Sequence, residues 1–202
     1  MYVVCADLEG VFVPEVWINV AEKTRIPELR LTTRDVSDYN VLMQHRLKIL
    51  HEKGLTLTDI QNVIATIKPL EGALEFIDWI KQRSQLIIVS DTFAQFADPL
   101  MRQLGRPTLL CHSLVVDEND RIVDYKLRQK DPKRRVVEAI QGLNYKVVAF
   151  GDSYNDTSML QQAEAGILFR PPQNVVDDFP HFPVTNSYTE LKTLLEKYLI
   201  EQ

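Results

Sequence analysis

Short apolar runs alternate along the chain with stretches in which apolar positions recur every three or four residues. Runs at 3–6, 86–90, 108–110, 146–150 and 166–169 have strand length and are bounded by polar or turn-forming residues. Stretches at 70–82, 94–104, 132–141, 156–165 and 189–200 carry the helical period, with Leu191, Leu194, Leu195 and Tyr198 marking one face of the last. This alternation predicts an α/β fold with a doubly wound, parallel sheet.

Two segments break the pattern. Residues 15–68 contain no convincing strand and predict several helices, with Leu42, Leu47, Ile49 and Leu50 as one apolar face. Gly54 is placed to end that helix, and Thr56 to Thr58 to open the next. The expected organisation is a core of residues 1–13 and 69–202 with a small helical cap, 14–68, inserted after the first strand. The second break, 113–128, holds two strand-like runs around Asp117-Glu118-Asn119-Asp120, which predicts a β-hairpin. Such a hairpin either pairs edges in a homodimer or covers its own core.

A chain of 202 residues is long enough for one such domain with an insert. Its net charge of -5 excludes the broad basic surface of a nucleic-acid or acidic-membrane binder. Cys5 and Cys111 both lie in apolar runs and imply burial, not a disulfide framework. The four histidines have no metal-ligand spacing. No run approaches the ~18 apolar residues of a membrane span. A cytoplasmic protein is expected.

Four polar clusters stand where strands end or helices begin. Asp7-Leu8-Glu9-Gly10-Val11 follows the first strand, and Ser90-Asp91-Thr92 follows the second. Gln129-Lys130-Asp131-Pro132-Lys133-Arg134-Arg135 precedes a helix, and Gly151-Asp152-Ser153-Tyr154-Asn155-Asp156 follows a later strand. Each has an ordinary reading taken alone: a turn, a helix N-cap, a solvated basic face, a capped turn. In a parallel sheet, however, such strand ends share one edge, so the clusters converge. Side chains two apart in an extended segment point the same way, which puts Asp7 and Glu9 toward one site. Two close carboxylates are costly unless a cation or a proton is shared between them. Acidic groups for a hard cation, a hydroxyl and N–H groups for phosphate oxygens, and a lysine together describe phosphoryl transfer.

In this order the clusters resemble the haloacid-dehalogenase-like superfamily of phosphotransferases. Its marks are an acidic pair after the first strand, Ser or Thr after the second, a downstream Lys and a Gly-Asp-x-x-x-Asp motif. Glu15, Arg46, Pro69-Leu70-Glu71-Gly72 and the 151–156 motif are similar to the phosphoserine phosphatase branch. Glu9 replaces a second Asp, and Asp91-Thr92 a glycine pair after Ser90. With Asp7-Leu8-Glu9-Gly10-Val11, Arg128-Gln129-Lys130-Asp131-Pro132-Lys133-Arg134 and the 151–156 motif, the chain closely resembles the subgroup that is both phosphoserine phosphatase and phosphoserine:homoserine phosphotransferase.

The resemblance implies roles. Asp7 is the nucleophile and Glu9 the general acid/base. Mg²⁺ is held by Asp7, Asp152 and the main-chain carbonyl of Glu9, with Asp156 behind them. Ser90, the Asp91 N–H, Lys133 and Asn155 bind phosphate, with Lys133 preferred over Lys130. Glu15 meets the α-ammonium and Arg46 the α-carboxylate of the amino-acid substrate, with Val16, Trp17, Met43 or Leu47 as an apolar floor. The expected small molecules are O-phospho-L-serine and L-homoserine. Alternatives are a plain phosphomonoesterase and a signalling module that is phosphorylated on aspartate.

Overall fold

In the computed structural model, residues 1–32, 35, 36 and 38–199 are described. The end of the last expected helix, Ile200, lies outside them. Seven strands form one sheet in the order β4-β3-β2-β1-β5-β6-β7. They are β1 (Tyr2–Ala6), β2 (Gln85–Phe93), β3 (Thr108–Val116), β4 (Ile122–Lys126), β5 (Lys146–Gly151), β6 (Ala165–Phe169) and β7 (Val184–Thr185). All neighbours run parallel except β3 and β4, which form the expected hairpin.

β1 sits between β2 and β5, so the connections turn to opposite sides there. That switch is where an open α/β sheet leaves a crevice at its carboxyl edge. Both faces of β1 are covered, which explains its unbroken apolar sequence. Val4 and Ala6 pack into one apolar cluster, and Val3 and Cys5 into the other. Both cysteines are buried and free, and burial pushes their thiols up to about 12 and about 11.

Core helices α4 (Ala73–Lys81), α5 (Ala94–Gln103), α6 (Pro132–Gly142), α7 (Thr157–Gln162) and α9 (Tyr188–Leu199) match expected helical stretches, several of them shortened. α4 and α7 are shortened most; at α7, Ala163 turns extended and the chain enters β6 two residues later. The short α8 (Gln173–Asp178) and the two-residue β7 are additions, too brief to show a period.

Between β1 and α4 lie α1 (Val16–Thr24), a 3₁₀ turn (Pro27–Arg30), α2 (Tyr39–Glu52) and α3 (Leu57–Ile64). Leu42, Ile49 and Leu50 are buried, while Leu47 is half-buried at the margin. α3 opens directly after Thr56, as expected, and Thr56 and Asp59 cap it reciprocally. Asp120 in the hairpin turn adds to this: its Oδ2 accepts the Thr58 N–H at 2.8 Å and its carbonyl the Leu57 N–H at 2.8 Å. The Tyr125 hydroxyl on β4 donates to Asn40 Oδ1 at 2.8 Å. The hairpin therefore ties the sheet to the helical insert. Its outer edge is guarded, since the Tyr125 N–H is taken by the Asp124 carboxylate at 2.8 Å.

Candidate active site

Asp7 is the first residue beyond β1, and its N–H continues the ladder to the Phe150 carbonyl at 3.1 Å. The chain then turns at Gly10, whose φ of 74° suits glycine and where a Cβ would run into the Asp152 carboxylate. Gly151 is similarly forced, because a Cβ there would strike Asp156. These two close approaches let three acidic side chains crowd together. Oxygens of Asp7, Asp152 and Asp156 lie within 4.8 Å of one another, all buried.

Lys133, only 2% exposed, enters this group from the first turn of α6. Its ammonium is 2.9 Å from Asp7 Oδ1, 2.7 Å from Asp156 Oδ1 and 4.0 Å from Asp91 Oδ2. Burial opposes its charge, but Asp156, Asp7 and Asp91 outweigh burial and hold the lysine well above its ordinary range. Lys130 is exposed and makes no such approach. Asp156 is wholly buried; its second oxygen accepts the N–H groups of Asp152 and Ser153, each at 3.0 Å.

One lysine does not balance the acids. Burial, Asp156 and Asp152 push Asp7 well above the usual carboxylate range despite Lys133. Burial, Asp156 and Glu15 push Asp152 up to about 7. A second positive charge with oxygen preference relieves this conflict, so the residues fit a hard dication such as Mg²⁺.

Ser90 and Asp91 fall inside β2, which continues through them with a register break between Val89 and Phe93. The cluster is thus no N-cap: α5 begins at Ala94, after Phe93, without a side-chain cap. The break frees this stretch from regular pairing beside Asp7. Asp91 is raised by burial, but Lys133, His112 and Asn155 outweigh that and bring it down to about 2. Asn155 donates to Asp91 Oδ2 at 2.8 Å.

Glu9 faces the insert. Its Oε2 accepts the N–H of Val16, the first residue of α1, at 2.8 Å. Burial and the neighbouring Glu15 raise it, Val16 and Arg46 lower it, and the result is about 7. Arg46 is buried, with its guanidinium 4.4 Å above the Trp17 ring and one nitrogen 2.8 Å from the Leu31 carbonyl. Its Nε has no hydrogen-bond partner among the described residues. Burial lowers it to about 10, which leaves it charged at neutral pH.

All ten expected site residues meet here. Asp7, Glu9, Glu15, Arg46, Ser90, Asp91, Asp152 and Asn155 line a cavity of about 100 Å³, with Lys133 bonded to Asp7, and Asp156 accepting from Lys133 and from the Asp152 N–H. Trp17 forms part of its wall, whereas Val16 and Met43 are buried in the apolar cluster. Tyr39 and Thr32 also line the cavity and His112 backs Asp91; sequence reasoning missed all three. For Tyr39 a signal existed, since Asp38 caps α2 through the Asn40 and Val41 N–H groups. A lone histidine within β3 gave none.

A sequence profile described as haloacid dehalogenase-like hydrolase matches residues 13–164. The chain belongs to that family. The match begins beyond Asp7, so the placement of Asp7 in this family's site rests on the geometry above. Among family relatives, the phosphoserine phosphatase ThrH of Pseudomonas aeruginosa is 62% identical over 192 residues, covering 95% of this chain and 94% of its own. The phosphoserine phosphatase of Pseudomonas syringae pv. tomato is 62% identical over 190 residues, covering 94% and 80%. Among solved structures, a substrate-bound phosphoserine phosphatase complex shares the fold with a TM-score of 0.76 at 19% identity, over 98% and 97% of the two chains. A phospho-aspartyl intermediate analogue of phosphoserine phosphatase does so at 0.73 and 20%, over 98% of each.

Proposed function

We propose that this protein is a Mg²⁺-dependent phosphoserine phosphatase that also passes the phosphoryl group to L-homoserine, through an aspartyl-phosphate on Asp7. The observation that carries the reading is Asp7 at the end of the central strand, 2.9 Å from the buried Lys133 ammonium and clustered with Asp152. The relatives named above support phosphoserine as the donor.

Asp7 attacks phosphorus through a carboxylate oxygen while Glu9 protonates the departing seryl oxygen. Glu9, raised to about 7, is suited to give that proton and then to take one from the acceptor hydroxyl. The acceptor oxygen bonds to phosphorus as the bond to Asp7 breaks. Lys133, the Ser90 hydroxyl, the Asp91 N–H and Asn155 hold phosphate oxygens, where charge must be stabilised during transfer. Asp7, Asp152 and the Glu9 main-chain carbonyl would hold Mg²⁺, which supplies positive charge to the phosphate, with Asp156 bracing the 152–153 turn. Glu15 receives the substrate ammonium and Arg46 its carboxylate, which a guanidinium grips in two places.

Residues 14–68 act in this reading as a cap whose helices close the amino-acid end of the site. Every group invoked comes from one chain, so a homodimer is not required. Among the described residues no helix is long and apolar enough to cross a membrane, and a cytoplasmic setting is proposed with the function. The test is incubation with O-phospho-L-serine and Mg²⁺, with and without L-homoserine. Phosphohomoserine is expected only with homoserine present. Free phosphate alone in both would leave a plain phosphatase, and no turnover in either would reject the enzyme reading.

A further inference from the structure

In the mechanism above the Asp91 N–H holds phosphate, while the Asp91 carboxylate has no part. That side chain belongs to the cavity wall and is held from two sides. Asn155 Nδ2 donates to Oδ2 at 2.8 Å, and His112 Nε2 lies 3.5 Å from Oδ1. His112 Nδ1 accepts the Arg128 N–H at 3.1 Å, so the neutral ring carries its proton on Nε2, toward Asp91. Despite burial, Lys133, His112 and Asn155 keep Asp91 ionised at neutral pH.

A fixed anion therefore stands beside a site for an anion. Asp91 Oδ2 is 4.0 Å from the Lys133 ammonium, and among the described residues no other lysine or arginine comes as close. Lys133 is nearer to Asp156 and Asp7, at 2.7 and 2.9 Å. This lysine and a dication together offset Asp7, Asp152 and Asp156, which leaves Asp91 as the charge in surplus. A phosphate oxygen bonded to the ammonium sits about 2.8 Å from it, and so within about 7 Å of Asp91 Oδ2. That is less than the ~8 Å over which physiological salt screens exposed charges. The Asp91 side chain is only 30% exposed, which limits the screening further.

We infer that the Asp91 carboxylate weakens the hold of this site on phosphate, so that inorganic phosphate leaves after turnover instead of occupying the cavity. This rests on the phosphatase reading above. The carboxylate makes and breaks no bond; it sets affinity. Donor and transition state carry the same phosphoryl charge, so Asp91 weakens donor binding and leaves the chemical step alone. Inorganic phosphate is repelled alike, but it lacks the ammonium and carboxylate that Glu15 and Arg46 receive from the donor. The repulsion therefore costs the product a larger share of its binding.

The full chain with Mg²⁺ is titrated calorimetrically with inorganic phosphate. In Asp91→Asn the dissociation constant should fall several-fold, and the gain should shrink as salt is added, because salt screens a charge and not a packing contact. L-serine, which carries no phosphate, should inhibit phosphoserine turnover equally in both proteins. Asp91→Gly, which lacks the charge and the contacts to Asn155 and His112, is read by the same criterion should Asp91→Asn not fold. Phosphate affinity that is unchanged or weaker would make the carboxylate a brace for Asn155 and overturn the proposal. A gain that L-serine shares, or that salt leaves untouched, would overturn it too. Phosphate release from phosphoserine by the unsubstituted protein is measured alongside. Its absence would reject the phosphatase reading instead, which tells the two failures apart.

Discussion

Glu9 does two things at once: it lines the same cavity as Asp7 and it caps the start of a helix of the insert. Its Oε2 on the Val16 N–H fixes the start of α1, directly after Glu15. An aspartate is shorter by one C–C bond, roughly 1.5 Å, and cannot keep both the helix contact and the same reach toward the acceptor. Glu9→Asp is therefore expected to lower the ratio of phosphohomoserine to phosphate several-fold, measured with homoserine in excess; an unchanged ratio would separate this residue from acceptor choice. The sequence showed Asp7, Glu9, Lys133 and Asp152 as chemistry because residue type and chain order are enough to suggest it. It could not show that Asn155 meets Asp91 across 64 positions, or that His112 stands behind Asp91. Such contacts exist only after the sheet has assembled.

At the level of elements, most strands and long helices were legible, because each buries one regular stripe or one unbroken run. Two kinds of error have physical causes. β2 runs on through Ser90-Asp91-Thr92 to Phe93, since β3 pairs with it again beyond the register break; local sequence saw only a polar cluster. β7 and α8 owe their form to neighbours and carry too few residues for a period. The hairpin was visible as two runs and a polar turn, but its purpose was not. Asp120 supplies acceptors to the first N–H groups of α3, which a helix end otherwise leaves unpaired. The same turn that reverses the chain thus secures the helical insert to the sheet.

For the molecule as a whole, the site stores electrostatic conflict that a cation resolves. Without metal, Glu9 and Asp152 are raised to about 7, and Asp7 is raised as well. Between about pH 4, where free carboxylates ionise, and pH 7, the folded protein keeps protons that the unfolded chain has released. Its stability therefore falls as pH rises through this interval. Asp91, lowered to about 2, contributes the opposite trend only in more acidic solution, and Lys133, held above its ordinary range, adds to the falling trend only in more alkaline solution. The metal-free protein should accordingly melt at a higher temperature at pH 5.5 than at pH 8. Mg²⁺ should raise the melting temperature more at pH 8, where its ligands are ionised. Equal metal-free melting temperatures, or a larger Mg²⁺ effect at pH 5.5, would contradict this charge balance.

All of this depends on Asp7 as the group that takes the phosphoryl. The most direct test is to acid-quench the protein during turnover of phosphoserine with Mg²⁺ and locate the added phosphoryl group by peptide mass spectrometry. It should sit on Asp7 and be absent from the Asp7→Asn variant. A phosphoryl group on Asp91, Asp152 or any other residue, or full turnover by Asp7→Asn, would contradict it.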